Sequence, residues 1–185
     1  MYRDRYCNIV STDISEVVVE RMQQKAASNG CEGIRWQVAD MLNLPFTDGQ
    51  FDVVIEKGAM DVLFVDSDSH WDPSEPVVAR VRAMLTSVHR VLAPHGLFVS
   101  ITFGQPHFRR RLFESPAYSW VTAYSTFGET FHYFFYTLRK GTQKAGTTEG
   151  DCEPKQSFEP KLDMMHETMD DPDSLMLIQV DDEGD

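Results

Sequence analysis

Cysteine is scarce in this sequence. Cys7, Cys31 and Cys152 are too few and too far apart for a disulfide framework or a zinc site. Cys7, inside an apolar run, reads as a small buried hydrophobe. Long hydrophobic runs are absent as well. No stretch approaches the ~20 apolar residues that span a bilayer, and Met1-Tyr2-Arg3-Asp4 has no apolar segment behind it to act as a signal peptide. Positive charge has one cluster, Arg109-Arg110-Arg111, too short to argue nucleic-acid binding and read as a solvated loop. Glycine is missing where a nucleotide fold most needs it, since no G-x-G-x-x-G turn occurs. What these absences leave is a soluble, cytoplasmic protein expected to bind no membrane, no nucleic acid and no metal ion.

What is present suffices for one globular domain. At 185 residues, with 42% apolar and 11% aromatic content, the chain can bury a substantial core. Its net charge of −12 is unevenly spread: residues 141–185 hold 13 of the 29 acids but 3 of the 17 Lys and Arg. The body, residues 1–141, is therefore nearly neutral, and residues 142–185 form an acidic tail for which disorder is expected. Residues 174–180 (SLMLIQV) are an apolar island in that tail, read as a weakly ordered end with docking as the alternative.

Within the body, strands and helices alternate. Residues 8–12 read as a strand closing at Asp13. Ser15 caps a helix over about 16–29 whose stripe is Val18, Met22 and Ala26, with Gly30 as its stop. Residues 34–39 form a second strand, closing at Asp40, and residues 51–55 a third. Asp72-Pro73-Ser74-Glu75 opens a helix through Val91 with Val78, Val81, Leu85, Val88 and Leu92 on its apolar stripe. Pro94-His95-Gly96 ends it, and residues 97–102 are a fourth strand. This alternation predicts an α/β fold with a parallel sheet. Residues 118–127 and 131–139, joined by Gly128-Glu129-Thr130, break the rhythm and predict a terminal antiparallel hairpin. Nothing before Asn8 supplies the opening strand and glycine-rich turn of a nucleotide fold, so the chain is expected to begin at that fold's second strand.

The most informative run is Phe51-Asp52-Val53-Val54-Ile55-Glu56-Lys57-Gly58-Ala59-Met60-Asp61. Its three consecutive β-branched residues predict a strand covered on both faces. It empties into two acids, a lysine and a glycine at the carboxyl end, where open α/β sheets bind ligands; a solvated loop is the plain alternative. Asp13 and Asp40 end strands of the same sheet and should share that edge. An acid there accepts hydrogen bonds from a ribose diol, or else caps the following helix. Asp40-Met41 offers a carboxylate to an exocyclic amine and a polarizable side chain to an adenine face, unless Met41 is ordinary core. His107 and His132 sit at no strand's carboxyl end and read as structural.

Four runs in fixed order carry a resemblance: Ser11-Thr12-Asp13-Ile14-Ser15, then Val38-Ala39-Asp40-Met41-Leu42-Asn43-Leu44-Pro45-Phe46, then Phe51-Asp52-Val53-Val54, then Arg90-Val91-Leu92-Ala93-Pro94-His95-Gly96. Together they resemble the class I S-adenosylmethionine-dependent methyltransferases, and the hairpin is similar to that family's sixth and seventh strands. More narrowly, Glu56-Lys57-Gly58-Ala59-Met60-Asp61, Pro106-His107-Phe108-Arg109 and Tyr118-Ser119-Trp120 resemble the eukaryotic lysine methyltransferases acting on translation elongation factor 1-alpha. The resemblance covers about residues 7–141. It implies a Rossmann-like sheet and S-adenosyl-L-methionine as cofactor, with Asp13 and Ile14 at its ribose, Asp40 and Met41 at its adenine, and Lys57 in the cofactor site. It also implies that Glu56, Lys57 and Asp61 belong to the stretch required for activity, and that the partner is a protein substrate, elongation factor 1-alpha. The family's first strand, glycine-rich loop and preceding aromatic segment have no counterpart here, so Met1 reads as an internal methionine. The alternative is a catalytically inactive fragment acting through protein contacts alone.

The residues also make a case of their own. Methyl transfer from a sulfonium to an amine is an in-line displacement, helped by orientation and a preorganised electrostatic environment. The attacking amine must be neutral. A neighbouring acid raises its pKa, whereas the sulfonium charge and desolvation lower it. Glu56 and Asp61 therefore read as groups that hold and orient the ammonium rather than as strong bases. Lys57 meets either the cofactor's carboxylate or Glu56. The missing glycine motif and the terminal hairpin point away from an NAD-dependent oxidoreductase.

Overall fold

A computed structural model describes residues 1–65, 67, 73–128 and 133–141. The acidic tail with its apolar island lies outside the described residues, as do Asp72, His132 and the hairpin turn beyond Gly128. After a single 3-10 turn at Tyr2–Asp4, the described chain runs β1 (Val10–Asp13), α1 (Glu16–Ser28), β2 (Arg35–Val38), β3 (Phe51–Lys57), α2 (Ala59–Val62) and α3 (Glu75–Val91). It continues through β4 (Leu92–Thr102), α4 (Pro106–Phe113), β5 (Trp120–Phe127) and β6 (Tyr133–Lys140).

Local chemistry explains the boundaries. Ser15 Oγ accepts the Val18 N–H at 3.4 Å and opens α1 as expected. Helix α3 carries a proline in its first turn, where no N–H is needed. It stops at Val91, as expected, and passes directly into β4, which begins at Leu92 rather than at residue 97 and takes in Pro94-His95-Gly96. Pro94 accounts for that end, because it disfavours helical geometry at Ala93 and has no N–H to return to the carbonyl of Arg90. Other donors meet the last carbonyls: Gly49 N–H reaches Arg90 O at 3.0 Å, and Lys140 Nζ reaches His89 O at 2.5 Å and Leu92 O at 2.8 Å. Residues 106–113, expected as a loop, are a helix.

The strands form two sheets rather than the one expected. β1 and β2 are parallel, with Val10 opposite Arg35 and Asp13 opposite Val38. The second sheet has the order β3-β4-β6-β5, parallel between β3 and β4 and antiparallel across the hairpin. Among the described residues, β1 pairs only with β2 and β3 only with β4, so one edge of each carries no ladder.

Among the described residues, the helices cover one face of the larger sheet. Phe98, Tyr136, Leu138 and Trp120 pack there against Val81, Leu85 and Val88 of α3 and Phe113 of α4. Val53 and Ile55 point the other way and remain 48% and 45% exposed, although Val99, opposite Ile55 on β4, is buried. The expectation of a strand covered on both faces therefore fails for β3: its β-branched run marks strand propensity, while coverage depends on other elements. Helix α1 shows the same lack of cover. Val18 and Met22 of its expected stripe are exposed and only Val19 is buried. Cys7 is exposed too, not a core residue.

Candidate active site

The turn after β3 is built by Gly58, whose φ of 71° is a left-handed conformation natural to glycine. It reverses the chain into α2 and brings Glu56 and Asp61 onto the covered face, beside Ser100 and Thr102 of β4. Glu56 is buried. One carboxylate oxygen accepts the Ser100 hydroxyl, and the other accepts the Met60 N–H at 3.2 Å. Burial pushes its carboxyl above the ordinary glutamate range, the Ser100 bond pulls it back, and the charge of Asp61 adds a smaller upward push.

Asp61 receives two donors on one oxygen, the Thr102 hydroxyl and the Arg109 guanidinium. Its other oxygen has no hydrogen bond among the described residues, and the side chain keeps 28% of its exposure. Arg109 is the residue that sequence reasoning missed. It was read as part of a solvated loop, yet only 4% of it is exposed and its guanidinium lies 4.2 Å from the centre of the Phe64 ring. Gly104 makes room for it, since a Cβ there would collide with the guanidinium. The usable signal was spacing: Arg109 and Phe113 stand four apart, hence on one helix face, and Phe113 is fully buried.

Lys57 leaves this cluster. Consecutive strand residues point to opposite faces, so it rises from the open face, and its Nζ stands 5.7 Å from the centre of the Tyr133 ring. It does not pair with Glu56.

Asp13 and Asp40 come together as expected, at the carboxyl edge of one parallel pair. The carbonyl of Asp13 accepts the Ala39 N–H at 2.9 Å, which ties the two strand ends to each other. Each carboxylate closes a local turn with one oxygen, Asp13 to Ser15 N–H and Asp40 to Leu42 N–H, both at 2.8 Å. The second oxygen of each has no hydrogen bond among the described residues. Ile14 beside them is 72% exposed, whereas Met41 packs partly against the core. Two available acceptors and an exposed apolar side chain fit the diol, amine and ring of an adenosine; Met41 is largely occupied by packing. Among the described residues no cluster suits a metal ion, and no helix is long and apolar enough to cross a membrane.

The loop after Asp40 is fixed by α3. Arg90 donates to the carbonyls of Leu44 and Phe46, each at 2.6 Å, and to Asp48 at 2.9 Å, while Ser87 Oγ accepts the Leu44 N–H at 2.8 Å. Two of the four ordered runs are therefore one physical unit.

A family model described as a methyltransferase domain matches residues 3–142. The chain belongs to that family. Its relatives include EEF1A lysine methyltransferase 4 of Mus musculus, 38% identical over 134 residues, which cover 72% of this chain and 52% of that protein. The eEF1A lysine and N-terminal methyltransferase of Homo sapiens is 32% identical over 111 residues, 60% of this chain and 15% of that one. The chain thus spans about half the length of the mouse relative. Two solved structures share the fold of this methyltransferase domain. The PH0226 protein of Pyrococcus horikoshii OT3 has a TM-score of 0.56 at 19% identity, over 75% of this chain and 74% of that one. A SAM-dependent methyltransferase of Methanosarcina mazei has a TM-score of 0.52 at 15% identity, over 72% and 82% of the respective chains. The sheet is the Rossmann-like one of class I methyltransferases, and S-adenosylmethionine is the cofactor expected of it.

Proposed function

We propose that this methyltransferase domain serves an S-adenosylmethionine-dependent protein-lysine N-methyltransferase acting on a translation elongation factor, elongation factor 1-alpha being the first substrate to try, in the cytoplasm. The observation that carries the reading is the state of the strand ends. Asp13, Asp40 and Asp61 each have one carboxylate oxygen bonded internally and one left over at the edge where α/β sheets take ligands. The names of the relatives support the substrate class.

When bound, S-adenosylmethionine supplies a methyl group on a positively charged sulfur. Asp13 and Asp40 would hold its ribose diol and adenine amine, with Ile14 against the ring. Asp61 would accept a hydrogen bond from the incoming lysine amine through its second oxygen and fix the line of attack, which is the main help such a displacement needs. Thr102 and Arg109 hold the Asp61 carboxylate in place. The amine's proton goes to water. Glu56 has both oxygens engaged and acts as a positioning residue that holds the Gly58 turn.

The test is incubation of the protein with methyl-labelled S-adenosylmethionine and elongation factor 1-alpha, followed by mass spectrometry of the labelled lysine. Label should appear with the wild type and fall at least tenfold with Asp61→Asn. Absence of both transfer and calorimetric cofactor binding would overturn the enzyme reading. A second reading, a chain that works through protein contacts without catalysis, is favoured by the open edges of β1 and β3 and by the exposed Val53–Ile55 face. It predicts capture of the elongation factor with no methyl transfer.

A further inference from the structure

Four residues outside the Glu56–Asp61 cluster meet at the same carboxyl edge, on the opposite face of the sheet. Lys57 closes β3, Phe103 follows β4, Phe127 closes β5 and Tyr133 opens β6. Because β6 runs antiparallel to β4 and β5, its first residue lies at the edge where those strands finish. The Tyr133 ring packs against Phe103, with centroids 4.3 Å apart, and stacks on Phe127 at 5.2 Å. Phe103 and Phe127 remain 51% and 38% exposed. The ammonium of Lys57 stands 5.7 Å from the Tyr133 centroid, within the range of a cation–π contact.

We propose that Tyr133, flanked by Phe103 and Phe127, is a platform for an alkylammonium group, and that it receives the side-chain amine of the substrate lysine and its methylated products. This deepens the protein-lysine methyltransferase reading and rests on it. The chain's own Lys57 shows that a lysine side chain reaches the ring with the right charge. An aromatic face attracts ammonium without accepting its proton, and it keeps its attraction as N–H bonds are replaced by N-methyl groups. A carboxylate loses a hydrogen-bond donor at each such replacement. Lys57 competes for the ring until substrate arrives.

The test is an NMR titration of the chain with three acetylated, amidated Gly-X-Gly peptides, X being lysine, Nε-trimethyllysine or norleucine. Signals are read from the rings of Tyr133 and Phe103. The two cationic peptides should shift these signals and the norleucine peptide should not. Lys57→Gln should tighten the trimethyllysine peptide by roughly two- to fivefold, the worth of one exposed cation–π contact. Phe103→Leu should weaken it by a similar factor, and Tyr133→Leu should abolish it while Tyr133→Phe retains it. Equal shifts with norleucine, or no change with Lys57→Gln, would overturn the platform and leave these aromatics as hairpin packing. Methyl transfer to a protein lysine with unchanged KM in Phe103→Leu would also overturn it, without touching the enzyme reading. Cationic peptides that bind the rings while no methyl is ever transferred would sink the enzyme reading and leave an ammonium-binding surface.

Discussion

Asp61→Asn should destabilise the domain by about 3–5 kcal/mol, and Arg109→Met by clearly less, although both break the same ion pair. Removing one partner of a buried pair costs about that much when the other stays charged and dry. Arg109 is the partner that cannot adapt. Its side chain is 5% exposed, its guanidinium does not deprotonate, and its Nε has no hydrogen-bond partner among the described residues even in the intact protein. The Phe64 ring gives back part of the loss, about 0.5–2 kcal/mol, but it does so in the wild type as well. Asp61 is in the opposite position. With 28% exposure it rehydrates when Arg109 is gone, and it keeps the Thr102 hydroxyl. Methionine refills the space of the arginine stem, so about 1–2 kcal/mol is expected.

The two replacements together should cost far less than their sum, a coupling of about 2–3 kcal/mol, because no unpaired charge remains. Urea unfolding followed by circular dichroism at constant m-value gives all four corners of the cycle. Thermal midpoints should move by roughly 3–4 °C per kcal/mol at this size. Equal losses for the two single replacements, or an additive double, would refute the argument that burial of the guanidinium sets the energy.

Three further outcomes are expected. The folded-state pKa of Glu56 is raised, so the folded protein holds a proton that the unfolded chain has released, and stability should fall as pH climbs from the ordinary glutamate range through the raised value. Glu56→Gln should flatten that decline. His89, whose pKa burial lowers, pulls the other way, so the reading is wild type minus variant in urea midpoints; an identical slope in both would reject the assignment. Val53→Lys and Ile55→Lys should each change stability by no more than about 0.5 kcal/mol, as exposed positions do. If denaturation shows a loss above about 2 kcal/mol for both, that face is covered in solution. Asp13→Ala should weaken S-adenosylmethionine by roughly 10- to 100-fold in calorimetry, the worth of charge-assisted hydrogen bonds to a diol. An unchanged dissociation constant would reduce Asp13 to a turn former.

The elements whose boundaries are local were legible. The Ser15 cap, the amphipathic α3 and the aromatic hairpin announce themselves within a dozen residues, and the structure contains all three. The end of α3 at Val91 was legible as well, because Pro94 acts backward along the chain, on Ala93 and on the carbonyl of Arg90. What depends on distant partners was not legible. Glu56 looks like a ligand-facing acid in one dimension; Ser100, 44 residues later, turns it inward. Arg109 looks like one of three solvated arginines until Asp61, Phe64 and Gly104 are placed around it. The β-branched run of β3 specifies a strand but is silent about whether anything covers Val53 and Ile55.

The division into two sheets bears on catalysis more than any single side chain. The proposed adenosine acceptors Asp13 and Asp40 lie at the ends of β1 and β2, and the Glu56–Asp61 turn follows β3, while no backbone ladder joins β1 to β3 among the described residues. A ladder would transmit position through a row of bonds. In its place stand the loop after Asp40 and its hold on α3, chiefly the bonds of Arg90 to Leu44 and Phe46 and of Ser87 to Leu44. Displacement at a methyl group tolerates little misplacement, since about 1 Å is worth roughly 100-fold in rate. A few side-chain bonds carry that tolerance here, so a strand pairing with both open edges would add rigidity where the reaction needs it. On the proposed function, the alignment of methyl donor and amine depends on the β1–β3 gap as much as on Asp61.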